Sequence, residues 1–301
     1  MKAKLLKKLN HVSFLSNTSK LRRLLNNPYK YIFAILFRKY IYPKSKKPKS
    51  VIAKTFFDIN MNILLPSSTD IYITQGKSHS SEIRLASFII KTLEEKDTFI
   101  DVGAHYGYFT LLAKKIIGKK GKIYSFEASK KTYEILKLNC DSSFNIYNKA
   151  ISDCEGFLSF YEFPNLYSEY NSFNIEQFKN SSWFEKNKPR ETKIETIPLS
   201  KFIEQHQLEP KIIKIDVEGA EFKVIKGLEN FINNNDTIIV MEFLSNKRDN
   251  EEHIKAQKLL FKYNYLPFAI LDTGKLLEID NLVKHFEDNN LDSDNIVFMR
   301  S

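Results

Sequence analysis

Two groups of residues in this chain have the types and spacing to do chemistry. The first is Asp101-Val102-Gly103-Ala104-His105-Tyr106-Gly107. It follows the apolar run Thr98 to Val102 and precedes a stretch of helical periodicity, so it describes a strand turning sharply into a helix. Such a turn leaves main-chain N–H groups pointing outward, and glycine lets a ligand approach them closely. Glu127 lies twenty residues beyond Gly107, at the end of the next apolar run in Tyr124-Ser125-Phe126-Glu127-Ala128-Ser129. Doubly wound sheets place a carboxylate at that point to accept hydrogen bonds from the ribose hydroxyls of an adenosine. The second group starts at Asp216, which ends the apolar run from Lys211 and leads through Val217-Glu218-Gly219-Ala220-Glu221 into a helix.

Taken alone, a turn with glycines at its first and fifth positions is equally a plain tight connection; Glu127 at the next strand end turns the reading toward a nucleotide. A dinucleotide site wants G-x-G-x-x-G so that a helix N-terminus meets a pyrophosphate. Here His105 occupies the position of the middle glycine, which disfavours a dinucleotide-dependent oxidoreductase and suits an adenosine without pyrophosphate, such as S-adenosylmethionine. Methyl transfer from a sulfonium to oxygen needs the acceptor held in line and its proton removed. Asp216 is the first candidate for that base. Glu218 is an alternative, as is Glu242 at the end of the run Thr237 to Met241, and His105 qualifies because an unperturbed imidazole titrates near neutrality. Glu221 is as readily a carboxylate complementing a helix dipole. Asp216 and Glu218 are hard oxygen ligands, but the sequence offers no compact third carboxylate, so no metal is expected. No Asn-Pro-Pro-Tyr motif is present, which argues against methylation of a base or amide nitrogen.

These residues require a scaffold of alternating strands and helices. Beyond an amphipathic helix (Ile83, Ala86, Phe88, Ile89, Leu93), strands are predicted at Thr98 to Val102, Lys122 to Phe126, Phe144 to Tyr147, Ile212 to Ile215 and Thr237 to Met241. Helices are predicted through Leu111, Leu112 and Ile116, and over Thr132 to Leu138, Phe222 to Phe231 and Glu252 to Tyr263. This is an α/β fold, a mostly parallel sheet with helices on both faces. Pro267 to Leu271 and Ile296 to Met299 are candidates for an antiparallel pair closing one edge. Ahead of the sheet, alternation from Phe57 to Leu65, a turn at Pro66 to Ser68 and a short strand Ile71 to Ile73 suggest a hairpin. Phe157 to Phe184 holds ten aromatics in 28 residues, which suits either a lid stacking on a sugar face or a cover for a sheet edge.

The formal charge of +10 is unevenly placed. Residues 1–50 carry fourteen Lys or Arg and no acid, while the other 251 carry 32 basic against 36 acidic side chains, a net of −4. The basicity thus belongs to an extension, residues 1–50, on a mildly acidic domain, residues 51–301. A nucleic-acid-binding arm would leave Glu127 and Asp216 unused, and the acidic domain would repel the same ligand, so no nucleic acid is expected. Ser19 to Tyr42 reads as helical, with Pro28 opening a second helix, and Lys44 to Ser50 as a linker. The apolar run Tyr31 to Phe37 is far below the roughly 20 residues that span a bilayer. Two expectations stay open for it: an interfacial helix on an anionic membrane surface, or a lid or dimer contact. Cys140 and Cys154 imply no disulfide framework and fit a reducing cytosol.

The segments DTFIDVGAHYGYFTLLAKKI and IIKIDVEGAEFKVIKGLENF, with FEAS, NKAISDCEG and IVMEF in order, resemble the FkbM family of methyltransferases, over about Phe57 to Leu271. The resemblance implies a class I methyltransferase sheet, S-adenosylmethionine as cofactor, and a hydroxyl of a sugar, glycan or related small molecule as acceptor. It further implies that Gly103 and Gly107 line the cofactor's methionine part and that Glu127 holds its ribose, with Asp101, Ala104, His105 and Ala128 in the same cofactor site. By the same resemblance, Ala150, Ile151 and Asp153 lie beside its adenine, and Asp216 belongs to the same cofactor site. Two positions depart from the family: His105 stands where Asn is common, and Ser200 follows Leu199 where Asp is common. A catalytically silent cofactor-binding scaffold is the alternative function.

Overall fold

A computed structural model describes residues 1–173, 175–248 and 250–300. The chain opens with α1 (Lys2–Ser16), α2 (Lys20–Asn26) and α3 (Pro28–Leu36), then a π turn over Phe37–Ile41 and the short α4 (Tyr42–Ser45). Ser19 caps α2 through the Arg22 N–H, and Pro28 sits in the first turn of α3, as expected of residues that satisfy or lack the orphan donors there. The expectation for the extension began only at Ser19. The spacing Leu5, Leu9, Val12 is nonetheless helical, and these side chains are buried in the same apolar cluster as Leu85, Ile89 and Leu112. Each such burial contributes about 1.5–3 kcal/mol, so α1 is part of the domain's core.

Strands β1 (Lys49–Lys54) and β2 (Asn60–Leu65) pair antiparallel, Lys49 opposite Leu65. This corrects the expected hairpin. The partner of residues 60–65 lies before them, beginning at Lys49 at the end of the stretch read as linker and running to Lys54, and residues 71–73 belong to a helix, α5 (Thr69–Thr74). Ile71 and Ile73 are both buried because the helix is short and enclosed, and this mimics strand alternation.

The main body follows as α6 (Ser80–Thr92), β3 (Thr98–Val102), α7 (Tyr108–Ile117), β4 (Lys122–Phe126), α8 (Lys130–Asn139), β5 (Asn145–Tyr147) and β6 (Ala150–Ile151). A side sheet adds β7 (Gly156–Glu162) and β8 (Arg190–Ile197), neither foreseen: β7 lies in the stretch read only for its aromatics, and the exposed face of β8 is charged. Next come α9 (Leu199–Gln205), β9 (Pro210–Ile215), α10 (Glu221–Asn234), β10 (Ile238–Leu244), α11 (Glu251–Lys262), β11 (Tyr265–Ile270), β12 (Leu276–Glu278), α12 (Leu282–Asp288) and β13 (Ser293–Arg300). The large sheet runs β12-β11-β13-β10-β9-β3-β4-β5. From β10 to β5 it is parallel, and its strands are near-continuous apolar runs because helices cover both faces. The expected antiparallel edge is present: β13 enters between β10 and β11. One apolar cluster lies on the side of α1, α6 and α7, the other on that of α9, α10 and α11.

Candidate active site

Register places the site. Val102 pairs with both Phe126 and Ile215, and Ile215 pairs with Met241. The residues that follow, Gly103, Glu127, Asp216 and Glu242, therefore lie at one level across four adjacent strands. The first three stand just past their strands' carboxyl ends, whereas Glu242, expected to end its strand, lies inside β10, which pairing with β13 carries on to Leu244. All four line one cavity of about 330 Å³, a size suited to a small organic ligand.

The glycine turn is tied to both neighbours. Gly103 has φ +81°, and a Cβ there would lie 1.8 Å from the Asp216 carbonyl oxygen, so only glycine lets the ends of β3 and β9 meet. The Gly103 and Ala104 N–H groups both donate to the Phe126 carbonyl. Glu127 accepts from the His105 N–H at 2.8 Å and the Ser129 N–H at 2.9 Å, one on each carboxylate oxygen. Each oxygen keeps a further lone pair for a ligand hydroxyl. Burial pushes this carboxyl up to about 7, the condition of a carboxylate waiting for donors. A buried acceptor at the cavity wall, with no cation among the described residues within salt-bridge reach, fits the ribose of an adenosine.

On the adjacent side, Lys214 is almost fully buried, with Nζ 3.3 Å from Asp101 and 3.2 Å from Asp216. Burial alone would lower its pKa, but the two carboxylates outweigh that and raise it. Asp101 also accepts from the Thr110 hydroxyl at 2.6 Å and stands behind the cavity as an anchor. Asp216, Glu218 and Glu242 bring one carboxylate oxygen each within 4.8 Å of one another. Glu242 is thus the compact third carboxylate that sequence spacing did not supply, and the donor set is one that a hard divalent cation accepts. Burial first, and then the neighbouring carboxylates, push Glu242 up to about 8 and Glu218 well above its ordinary range. The cluster therefore retains protons at neutral pH.

His105 is half-buried and lines the cavity, its Nε2 3.3 Å from the Ser168 hydroxyl. Burial holds its pKa down at about 4, so the ring is neutral and a weak base. The facing wall comes from residues the sequence did not single out: Lys77, with Glu82 at 2.9 Å and Glu169 at 2.8 Å, together with Ser168 and Arg248. Of the aromatic segment, Phe160, Tyr170 and Phe173 line the cavity. Phe163, Phe178 and Phe184 are buried together, and Tyr167 stacks on Trp183 at 4.2 Å. The segment is thus partly a wall and partly a small core of its own. A second cavity, of about 530 Å³, shares Tyr170 and Arg248 with the first and adds Trp183, Asn180 and Lys247.

Gly103, His105, Glu127, Ala128, Ala150, Ile151, Asp216, Glu218 and Glu242 meet at the main cavity. Asp101, Ala104, Gly107 and Asp153 do not line it. Gly107, at φ +90°, takes the left-handed turn into α7 against Leu136, and Asp153 pairs with Lys226 at 3.5 Å.

Residues 101–267 match the methyltransferase FkbM domain model. The hexuronic acid methyltransferase AglP of Haloferax volcanii is 24% identical over 156 residues, which are 50% of this chain and 58% of that protein. Among solved structures, methyltransferase FkbM of Methylobacillus flagellatus is 10% identical with a TM-score of 0.42, covering 77% of this chain and 52% of that one. Fibrillarin of Aeropyrum pernix, solved with natively bound S-adenosyl-L-methionine, is 12% identical with a TM-score of 0.37, covering 72% and 74%. The chain spans little more than half the length of the first two. The family match takes in both the glycine turn and the carboxylate cluster, and on that basis the chain belongs to the FkbM family of S-adenosylmethionine-dependent methyltransferases, with the class I methyltransferase fold.

Proposed function

We propose that the protein methylates a hydroxyl group of a sugar within a glycan. The observation that supports this reading is the common level of Gly103, Glu127, Asp216 and Glu242 on one cavity, where Glu127 is suited to hold a nucleoside and the carboxylates about Asp216 to accept a proton. Bound S-adenosylmethionine supplies an electrophilic methyl group. Glu127 and the turn at Gly103 hold the nucleoside, with Ala128, Ala150 and Ile151 beside its base. Asp216, oriented by Lys214, receives the acceptor's hydroxyl proton. Glu218 and Glu242 keep that corner hydrogen-bonding and near neutral. Phe160, Tyr170 and Phe173 offer apolar faces of the kind that pack on sugar rings and keep water away. The second cavity beyond Tyr170 favours an oligosaccharide over a free sugar, and the likeness to a hexuronic acid methyltransferase agrees with a sugar acceptor.

The test incubates purified full-length protein with methyl-labelled S-adenosylmethionine and lysate glycans, followed by product mass. A glycan heavier by one methylene, labelled on oxygen, is expected. Label on nitrogen, or cofactor binding without product across a broad acceptor panel, overturns the assignment, the latter in favour of a silent binding scaffold.

A further inference from the structure

The first fifty residues divide into two parts by what their charges touch. In α1, Lys2 pairs with Glu94 and Lys8 with Asp58, and the leucines face the core. From Lys20 to Lys49 there are ten cations and no acid, and among the described residues none of these cations forms an ion pair with a carboxylate. The same stretch holds the exposed apolar surface. Nine of the eighteen exposed large apolar side chains among the described residues fall between Leu21 and Ile41. In α3 they follow helical spacing: Ala34 and Phe37 turn inward and Phe33 meets Tyr72 of α5, while Ile32, Ile35 and Leu36 form the opposite, outward stripe. Tyr40 continues that stripe, with Arg38 and Lys39 exposed beside it.

We propose that α2, α3 and the π turn form a docking surface for an anionic phospholipid bilayer, with Ile32, Ile35 and Leu36 in the acyl boundary and the flanking cations on the head groups. An amphipathic helix rich in Lys and Arg is held by this combination of apolar insertion and charge. Among the described residues no helix is long and apolar enough to cross a membrane, so the contact is interfacial. A second copy is a poor occupant, because its matching face carries the same ten cations. The surface is coupled to the site: Tyr42, at its end, accepts a hydrogen bond from the Leu166 N–H, two residues before the cavity-lining Ser168.

Sedimentation of full-length protein with phosphatidylglycerol–phosphatidylcholine vesicles and with pure phosphatidylcholine vesicles tests this. The protein should pellet with the anionic vesicles only and be released as salt rises. Arg38→Gln with Lys39→Gln should weaken vesicle partition about thirtyfold. Ile35→Glu with Leu36→Glu, both at exposed positions, should weaken it about a hundredfold or more while leaving the melting temperature unchanged. Three results overturn the proposal. The first is wild type found only in the supernatant, and the second is an Ile35/Leu36 variant that binds like wild type. The third is a wild-type dimer in velocity ultracentrifugation that this variant dissolves, which assigns the face to a second copy.

Discussion

Lys214 gives the sharpest test of how the site is held. Its ammonium lies between Asp101 at 3.3 Å and Asp216 at 3.2 Å, with Asp101 1% exposed. At an effective dielectric of about 20, each contact is worth about 5 kcal/mol gross, and taking the ammonium out of water costs several kcal/mol in return. Lys214→Met keeps most of the aliphatic stem but leaves the Asp101 Oδ1 without its cation, while Oδ2 keeps only the Thr110 hydroxyl. Loss of one partner of a buried pair costs about 3–5 kcal/mol. The Lys214 pKa is raised, so this stabilisation is fully present below the ordinary lysine value of 10.5 and fades only as pH passes through the higher folded value. Urea denaturation near neutral pH, followed by circular dichroism, therefore reads it undiminished. Adding Asp101→Asn to the variant removes the stranded charge and should recover about 1–3 kcal/mol. A loss under about 1 kcal/mol for Lys214→Met, the scale of an exposed pair, or no recovery in the double variant, would refute the account.

Glu127→Ala should weaken S-adenosylmethionine binding by about 1.5–3 kcal/mol in calorimetry; unchanged affinity removes Glu127 from the nucleoside site. Because burial raises this carboxyl to about 7 and a ribose needs the anion, cofactor affinity should fall as pH drops below 7, and a flat profile counts against the contact. Asp216→Asn should bind cofactor within about threefold of wild type yet lose about 10²–10⁴ in turnover. Activity near wild type moves the proton acceptor to Glu218 or Glu242. Glu242 is raised to about 8 by burial and by Asp216. Its anion thus costs stability increasingly as pH climbs from its unfolded value toward 8, and nothing below that range. Glu242→Gln should accordingly raise the melting temperature above pH 8 and leave it unchanged near pH 4; equal gains at both refute the assignment.

What the sequence made legible was local. The glycine turn, Glu127 and Asp216 each end an apolar run and start another element, so composition and spacing alone mark them. The parallel order of the strands follows from the same rhythm. Glu242 was a candidate from its strand end, but its meeting with Asp216 and Glu218 depends on the pairing of β9 with β10, which no spacing reveals. Lys77 and Glu82 lie close together in the chain, but Glu169 comes from a segment far along it and reaches Lys77 only through packing. Lys214 was hidden because one lysine in an apolar strand reads as a surface interruption, whereas here Asp101 on the next strand makes its burial tolerable. Helix α1 was overlooked because its four lysines match its four leucines in number, although it is Leu5, Leu9, Val12 and Leu15 that are buried. Residues 71–73 misled because a short enclosed helix and a strand both bury Ile71 and Ile73.

The position of β13 bears on how the protein is made. The ribosome releases β10 and β11 before β13, yet in the sheet β13 lies between them. Until residues 293–300 are available, β10 keeps an open edge of main-chain donors and acceptors, and β11 and β12 have no neighbour to join the sheet. An open edge flanked by apolar side chains is a template for pairing with another chain. Nascent chains that stop short of Ser293 should therefore be clients for chaperones. The cavity wall at Asn295, opposite Glu242, also closes in that late insertion.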